Sequence, residues 1–307
     1  MTHKQLRFGT KVIHAGEERP NPYHAVTTPI VQTSTYTYEN TADLLAYKEA
    51  TREPGRRTRG EYGRYGNPTA WSVEQKVAAL EGAEDALLFS SGMSAQTTAL
   101  LALLSPGDHW IVTQDLYRKT RQFANTVLRR LGIATTYVPL DDLATLRQAW
   151  QPRTRLVFTE IPTNPYLRVP DLHAMAQECR ARGALFMVDS TFATPINQRP
   201  LEFGVDFVVH SATKYLGGHN DLLAGVVIGS DYMIGAVKET QAMFGDICDA
   251  HTAYLLLRGL KTLELRVQRQ NDTAEQVAYF LAKHPAVRRV YYPGLASHPD
   301  YKVAAAQ

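Results

Sequence analysis

Three short stretches carry side chains that could do chemistry. Phe207–His219, FVVHSATKYLGGH, runs from an apolar strand into Ser211-Ala212-Thr213-Lys214 and then a Gly217-Gly218 turn. A lone lysine is ordinarily a solvated surface charge. After two hydroxyl residues at the end of a buried strand, however, it has the half-buried setting in which an amine sheds its proton and can form an imine with a carbonyl. The Gly-Gly pair lets backbone approach closely there. Ala184–Pro195, ALFMVDSTFATP, ends an apolar strand on Asp189. A carboxylate in that place is costly unless paired; it suits a protonated heterocyclic nitrogen, and it suits equally the plain capping of the Ser190-Thr191 turn. Leu87–Ala95, LLFSSGMSA, reads as strand, Ser-Gly turn and helix, and a helix start after a strand offers backbone N–H groups to a phosphate. Each stretch alone is weak. Together they put a phosphate-ready helix start, a carboxylate and a lysine at strand ends, in that order along the chain.

Those strand ends need a scaffold. From about residue 72, amphipathic helices alternate with short apolar runs: a helix over Val73–Leu80 stopped by Gly82, a strand at Ala86–Phe89, a helix over Met93–Leu104 and a strand at His109–Thr113. A helix follows with Phe123, Val127, Leu128 and Leu131 on one face. Further strands are expected at Ala134–Pro139, Leu156–Thr159, Leu185–Val188, Phe207–Val209 and Val226–Ile228. Alternation of this kind predicts an α/β fold, a mostly parallel sheet with helices on both faces, which binds ligands at the carboxyl ends of its strands. Residues 1–70 are polar and weakly periodic, and TREPGRRTRGEYGRYGNPT reads as an exposed arm or loop. Residues 71–252 form the α/β domain. In 253–307 a long helix over Ala253–His284, broken once, leads to a strand at Val287–Tyr292 and a last helix from Tyr301.

Composition narrows the classes. With 33 Lys+Arg against 30 Asp+Glu, a net charge of +3 and no basic block standing apart, a nucleic-acid partner is not expected. The opening MTHKQLRFGTKVIHAGEERP has no apolar core for a signal peptide, and no apolar run approaches the roughly 18 residues of a membrane span, so no membrane partner is expected; the usage of the two cysteines fits a reducing cytoplasm, which is the expected location. Cys179 and Cys248 share no metal or redox spacing, and Cys179 lies on the apolar stripe Leu172, Met175, Ala176, Cys179; no metal is expected. The chain lacks G-x-G-x-x-G after a strand, G-x-x-x-x-G-K-[ST], H-E-x-x-H and G-x-S-x-G, and with them the dinucleotide, nucleoside-triphosphate, zinc-peptidase and serine-hydrolase readings.

On these motifs, and from Ile13-His14-Ala15-Gly16 to Tyr292-Pro293-Gly294, the chain resembles the Cys/Met-metabolism family of pyridoxal-5′-phosphate (PLP) enzymes, which have the aspartate-aminotransferase-like fold (fold type I). The resemblance implies PLP as cofactor, with Lys214 binding it covalently and acting in catalysis. It implies phosphate contacts from Ser211, Thr213 and the backbone N–H groups of Gly92 and Met93. Asp189 would face the ring nitrogen, Asn164 the ring hydroxyl and the substrate carboxylate, Tyr117 one ring face with a part in proton transfer, and Thr191 the other face. Tyr62-Gly63-Arg64-Tyr65-Gly66-Asn67 matches a segment that reaches a neighbouring subunit, where Tyr62 and Arg64 would hold the phosphate. A homodimer with shared sites, paired into a tetramer, follows. Tyr117-Arg118-Lys119-Thr120, Gly217–Gly225 and Ala253–Thr262 are similar to the plant-type cystathionine γ-synthases, which implies γ-replacement on an O-activated homoserine by cysteine; Lys119, at a basic helix start directly after Tyr117, is expected to contact an anionic leaving group of the substrate. Cystathionine or methionine γ-lyase chemistry is the alternative. The family resemblance also implies that 253–307 is the start of a smaller C-terminal domain. The family's substrate-gripping arginine has no counterpart before Gln307, so a PLP-binding but inactive protein is the reading of another class.

Overall fold

A computed structural model describes residues 6–17, 21–50, 59–140 and 142–307. Arg52, Arg56 and Arg57 of the basic stretch lie outside them. Seven strands form one sheet: β1 (Asp85–Phe89), β2 (His109–Thr113), β3 (Ala134–Val138), β4 (Thr154–Glu160), β5 (Leu185–Asp189), β6 (Phe207–His210) and β7 (Gly225–Gly229), ordered β1-β7-β6-β5-β4-β2-β3. The pairs β2–β3, β2–β4, β4–β5 and β5–β6 are parallel, and β1–β7 is antiparallel. Every residue of β1, β2 and β7 is buried. That is why these strands read as unbroken apolar runs rather than alternating ones: helices cover both faces of such a sheet.

The chain divides into two compact units, Met1–Ala102 with His210–Thr262 and Leu103–Val209 with Leu263–Gln307. The span 71–252, expected to be one domain, therefore contributes to both. In the first unit the helix Pro68–Glu81 begins on Asn67, whose side chain accepts from Thr69 N at 2.8 Å, and ends at Gly82 with φ +75°. It packs on β1, where Leu88 N–H donates to Glu74 Oε1 (3.0 Å) and Leu88 C=O accepts from Gln241 Nε2 (2.6 Å). The same helix buries Lys76 completely. Its Nζ donates to the carbonyls of Val12 (2.9 Å) and Ile13 (2.8 Å) and lies 3.2 Å from Glu17 Oε1. Burial pulls this lysine down to about 8, with Glu17 opposing the shift. Gly16, at φ +73°, touches the Ser72 carbonyl so closely that no Cβ fits. Part of the region expected to be an arm is thus a short helix, Phe8–His14, pinned to this unit, and a second helix spans Thr41–Ala50.

In the second unit Asp171 caps the helix Leu172–Ala181 through Ala174 N (2.9 Å), and Leu172, Met175, Ala176 and Cys179 face inward as expected. Arg168 grips Asp300 with two bonds (2.6 and 3.0 Å), and Val169 N adds a third (2.9 Å), which holds the last turns of the chain. Two expectations fail here. Val127 and Leu131 are 38% and 44% exposed, while Ala124 and Leu128 are buried: the turn Ala124–Leu128 is a wide π-turn, which rotates the apolar face away from ordinary helical spacing. Val287–Tyr292 forms no strand; Arg288, Arg289 and Tyr291 are exposed and no neighbour pairs with the segment among the described residues. The long C-terminal helix does break once, into Ala250–Leu260 and Leu263–Ala282. Among the described residues no helix is long and apolar enough to cross a membrane. Cys179 and Cys248 are free and buried, and burial pushes both thiols up to about 12, away from reactivity.

Candidate functional site

Each unit carries one group of the residues singled out by sequence. In the first unit β1 runs into Ser90-Ser91-Gly92 and the helix Gly92–Leu103. Ser91 and Ser94 bond reciprocally, Ser94 N to Ser91 Oγ and Ser91 N to Ser94 Oγ, both at 3.1 Å, which fixes the helix start as a capping box does. Gly92 lies so close to Ser211 that an added Cβ would stand 2.6 Å from the serine Cβ. Gly225 makes the same kind of approach to the Ser91 carbonyl. The Ser91-Gly92 turn is thus inserted between Gly225 and Ser211, and both glycines are there for want of room. Thr213 is tied to Ala224 by its N–H (3.1 Å) and by its Oγ1, which accepts from Ala224 N (3.0 Å).

The Ser211–Gly218 turn closes on itself. Lys214 N donates to Ser211 O (3.0 Å), Gly217 N to Ala212 O (2.8 Å) and Gly218 N to Lys214 O (2.8 Å). Just upstream, His210 Nε2 and Glu81 Oε1 form a completely buried 2.5 Å pair that holds the end of β6 in place. Lys214 itself is exposed, which corrects the expected half-burial: the turn projects it beyond the strand end, and β6 buries only the residues before it. The helix start, the Ser211 and Thr213 hydroxyls and the glycine-enforced contact between them suit a phosphate group, because nothing bulkier than hydrogen separates Gly92 from Ser211. Tyr62 and Arg64 also belong to this unit. Tyr62 bridges to Thr35, and Arg64 Nη1 donates to Ala242 O at 2.5 Å while its guanidinium lies over the Tyr62 and Tyr65 rings.

The second unit brings Asp189, Thr191, Tyr117 and Asn164 around one further residue that sequence reading missed. Asp189 ends β5, and its Oδ1 accepts from Thr191 N at 2.9 Å, so the capping role is real. Directly opposite, in register, β4 ends on Glu160. Residues in register on neighbouring strands share a face, and two like charges there repel. Glu160 is 6% exposed. Its Oε1 accepts the Tyr117 N–H at 2.6 Å, and the backbone of Asn164 also hydrogen-bonds to it. Burial first, then the charge of Asp189, pushes its carboxyl up to about 8, well above the usual carboxylate range. The signal was available: Phe158-Thr159-Glu160 is another apolar strand ending on a carboxylate. Tyr117 and Asn164 are exposed. Lys119 is exposed too and bonds to Gln122 Oε1 (3.1 Å) on its own helix, and no residue of the Asp189–Glu160 group is among its bonds.

The model of the Cys/Met metabolism PLP-dependent enzyme family matches residues 9–307. Cystathionine gamma-synthase 1, chloroplastic, of Nicotiana tabacum is 48% identical over 97% of this chain and 55% of its own length. L-methionine gamma-lyase of Pseudomonas putida is 40% identical over all of this chain and 76% of its own. The crystal structure of metB from Corynebacterium glutamicum superposes with a TM-score of 0.93 at 38% identity, covering all of this chain and 77% of that one. The chain spans about half the length of the plant relative. Its mostly parallel sheet with intervening helices is the fold of these PLP enzymes, fold type I.

Proposed function

Since the chain belongs to the Cys/Met-metabolism family of PLP-dependent enzymes, we propose that it acts on sulfur amino acids as a cystathionine γ-synthase, replacing the γ-oxygen group of an activated homoserine with cysteine. The family assignment implies PLP as cofactor. The observation that carries the specific reaction is the higher identity to the tobacco cystathionine gamma-synthase, 48%, than to the methionine gamma-lyase, 40%. A γ-lyase would use the same early proton transfers and is the outcome the assay must exclude.

When bound, PLP supplies an electron sink that makes protons next to the substrate amine acidic. The chain's own residues would do the rest. The N–H groups of Gly92 and Met93 with the hydroxyls of Ser211 and Thr213 would hold the phosphate, and Tyr62 and Arg64 would do so from a neighbouring subunit. Asp189 would hold a proton on the ring nitrogen, with Thr191 and Tyr117 on the ring faces and Asn164 at the ring hydroxyl and the substrate carboxylate. Lys214 would bind the cofactor, and its Nζ, once free, would take the α-proton. Lys119 would favour an anionic leaving group. Residues 1–70 would serve as the arm of a dimer with shared sites, paired into a tetramer, 71–252 as the cofactor domain and 253–307 as the start of a smaller one. We place the protein in the cytoplasm on the usage of its cysteines.

The test is a product assay with cysteine and O-acetyl-, O-succinyl- and O-phosphohomoserine, run beside borohydride reduction of the purified yellow protein. Cystathionine as product and cofactor fixed to the Lys214 peptide support the proposal. An α-keto acid released instead means a lyase, and bound cofactor without turnover means an inactive homologue; either refutes the synthase reading.

A further inference from the structure

We propose that Glu160 is a positioning residue, whose buried carboxyl anchors the backbone of Tyr117 and of Asn164 to the end of β4 and so sets both residues relative to Asp189. The inference rests on the proposed PLP function, which gives those three residues their roles. The geometry itself stands independently, within one unit.

A strand-end carboxyl in this place is costly. Glu160 is buried, faces Asp189 across the β4–β5 register and also feels Asp115 in the loop after β2. A solvated glutamate on a surface would avoid all three penalties, so its place needs a compensating contact. The contacts it makes are the Tyr117 N–H, at 2.6 Å, and the backbone of Asn164. Both belong to loops leaving the carboxyl ends of strands, Tyr117 after β2 and Asn164 after β4. Neither residue is held by burial, since both side chains are exposed. Their buried neighbours Leu116 and Thr163 pack each loop, and one further side chain supplies backbone bonds to both loops at the exposed residues themselves. A protonated carboxyl is well suited to this anchoring, because it accepts the amide through one oxygen and adds no second negative charge beside Asp189. A charged Glu160 would compete with Asp189 for any cation brought to this strand end.

Two variants separate positioning from simple packing. Glu160→Gln keeps the acceptor oxygen and the shape without the titration, whereas Glu160→Asp keeps the carboxyl but withdraws it by one methylene, out of reach of Tyr117. The first measurement needs no cofactor: native-state hydrogen exchange of the Tyr117 amide in the whole chain. Exchange in Glu160→Asp is expected to be at least tenfold faster than in wild type, and in Glu160→Gln within about threefold of it. The second is the affinity for added PLP, read from the visible band. It should weaken by roughly tenfold or more in Glu160→Asp and by no more than about threefold in Glu160→Gln. If Tyr117 exchange and PLP affinity are the same in Glu160→Asp as in wild type, the assignment is wrong. If both variants lose affinity equally, the carboxyl's reach is not what counts and the assignment fails as well. Should wild type not take up PLP at all, the proposed function falls, while the exchange measurement still decides what Glu160 holds.

Discussion

Replacing Gly92 by alanine should damage the chain where the Ser91-Gly92 turn is squeezed beside Ser211. A Cβ there would lie 2.6 Å from Ser211 Cβ, 2.8 Å from its Cα and 2.9 Å from its Oγ. Carbon atoms rest at about 3.5–4.0 Å, so Gly92 and Ser211 must part by about 1 Å. Neither can yield easily. Ser211 follows the buried His210–Glu81 pair and precedes Thr213, which Ala224 holds on both sides, and Gly92 continues from β1. Overpacking of this kind costs about 1–3 kcal/mol. The alanine offsets up to about 1 kcal/mol through helix propensity, leaving with the full offset a net loss of about 0–2 kcal/mol. A phosphate seat widened by about 1 Å should lose at least tenfold in PLP affinity, as one charge-assisted bond is lost. The control is Gly235→Ala in the helix Asp231–Phe244, where an added Cβ meets nothing within 4 Å; it should gain about 0.5–1 kcal/mol. Urea unfolding gives both stabilities. If Gly92→Ala proves as stable as Gly235→Ala and binds PLP unchanged, the steric account of the turn is wrong.

Other outcomes concern the buried charges and the basic helix start. Lys76→Ala leaves the Val12 and Ile13 carbonyls without their donor, while Glu17 keeps Lys261 at 3.0 Å, so it should cost about 2–4 kcal/mol and release protection first in residues 8–17, read by hydrogen exchange. Glu160, raised from 4.5 to about 8, contributes stability that is complete below about pH 4.5 and is lost as pH rises towards 8. Against Glu160→Gln, wild type should therefore fall by up to about 1.4 kcal/mol per pH unit across that window, and parallel thermal profiles would contradict the raised value. For Lys119→Ala, the preference for the phosphoryl and succinyl esters over the acetyl ester should shrink only about two- to fivefold in kcat/KM, because an exposed charge is well screened; equal losses on all three esters would remove Lys119 from specificity.

Most of the sheet was legible because β1, β2, β6 and β7 are buried throughout, so each appears as an apolar run between turn residues. His109–Thr113 is such a run, and it has those bounds in the structure. The helix stop at Gly82 and the stripe ending on Cys179 were equally plain, since caps and 3.6-residue spacing are local signals. What escaped was set by partners distant in sequence. The π-turn at Ala124–Leu128 moved the apolar face off the spacing that Val127 and Leu131 suggested. Val287–Tyr292 has strand-forming residues and, among the described residues, no strand to pair with. Lys76 reads as a surface charge until Val12, Ile13 and Glu17 close over it. At the site, Asp189 stood out by ending an apolar strand. Glu160 ends another, and its importance appears only when the parallel register sets the two side by side. Lys214 was correctly placed after a buried strand, but exposure depends on where the Ser211–Gly218 turn points, which spacing does not encode.

The way β1 ends the sheet bears on how the protein avoids sticking to itself. A strand at the margin of a sheet normally presents unpaired amides and carbonyls on which another chain can zip. At Leu88 that template is occupied: Glu74 takes the N–H and Gln241 the C=O, from helices on either side of the strand in sequence. An incoming strand would have to displace two buried side chains from Leu88, a penalty of about 1–3 kcal/mol for each. At Leu88 the margin of β1 is thus closed to an added strand by two side chains rather than by a further strand.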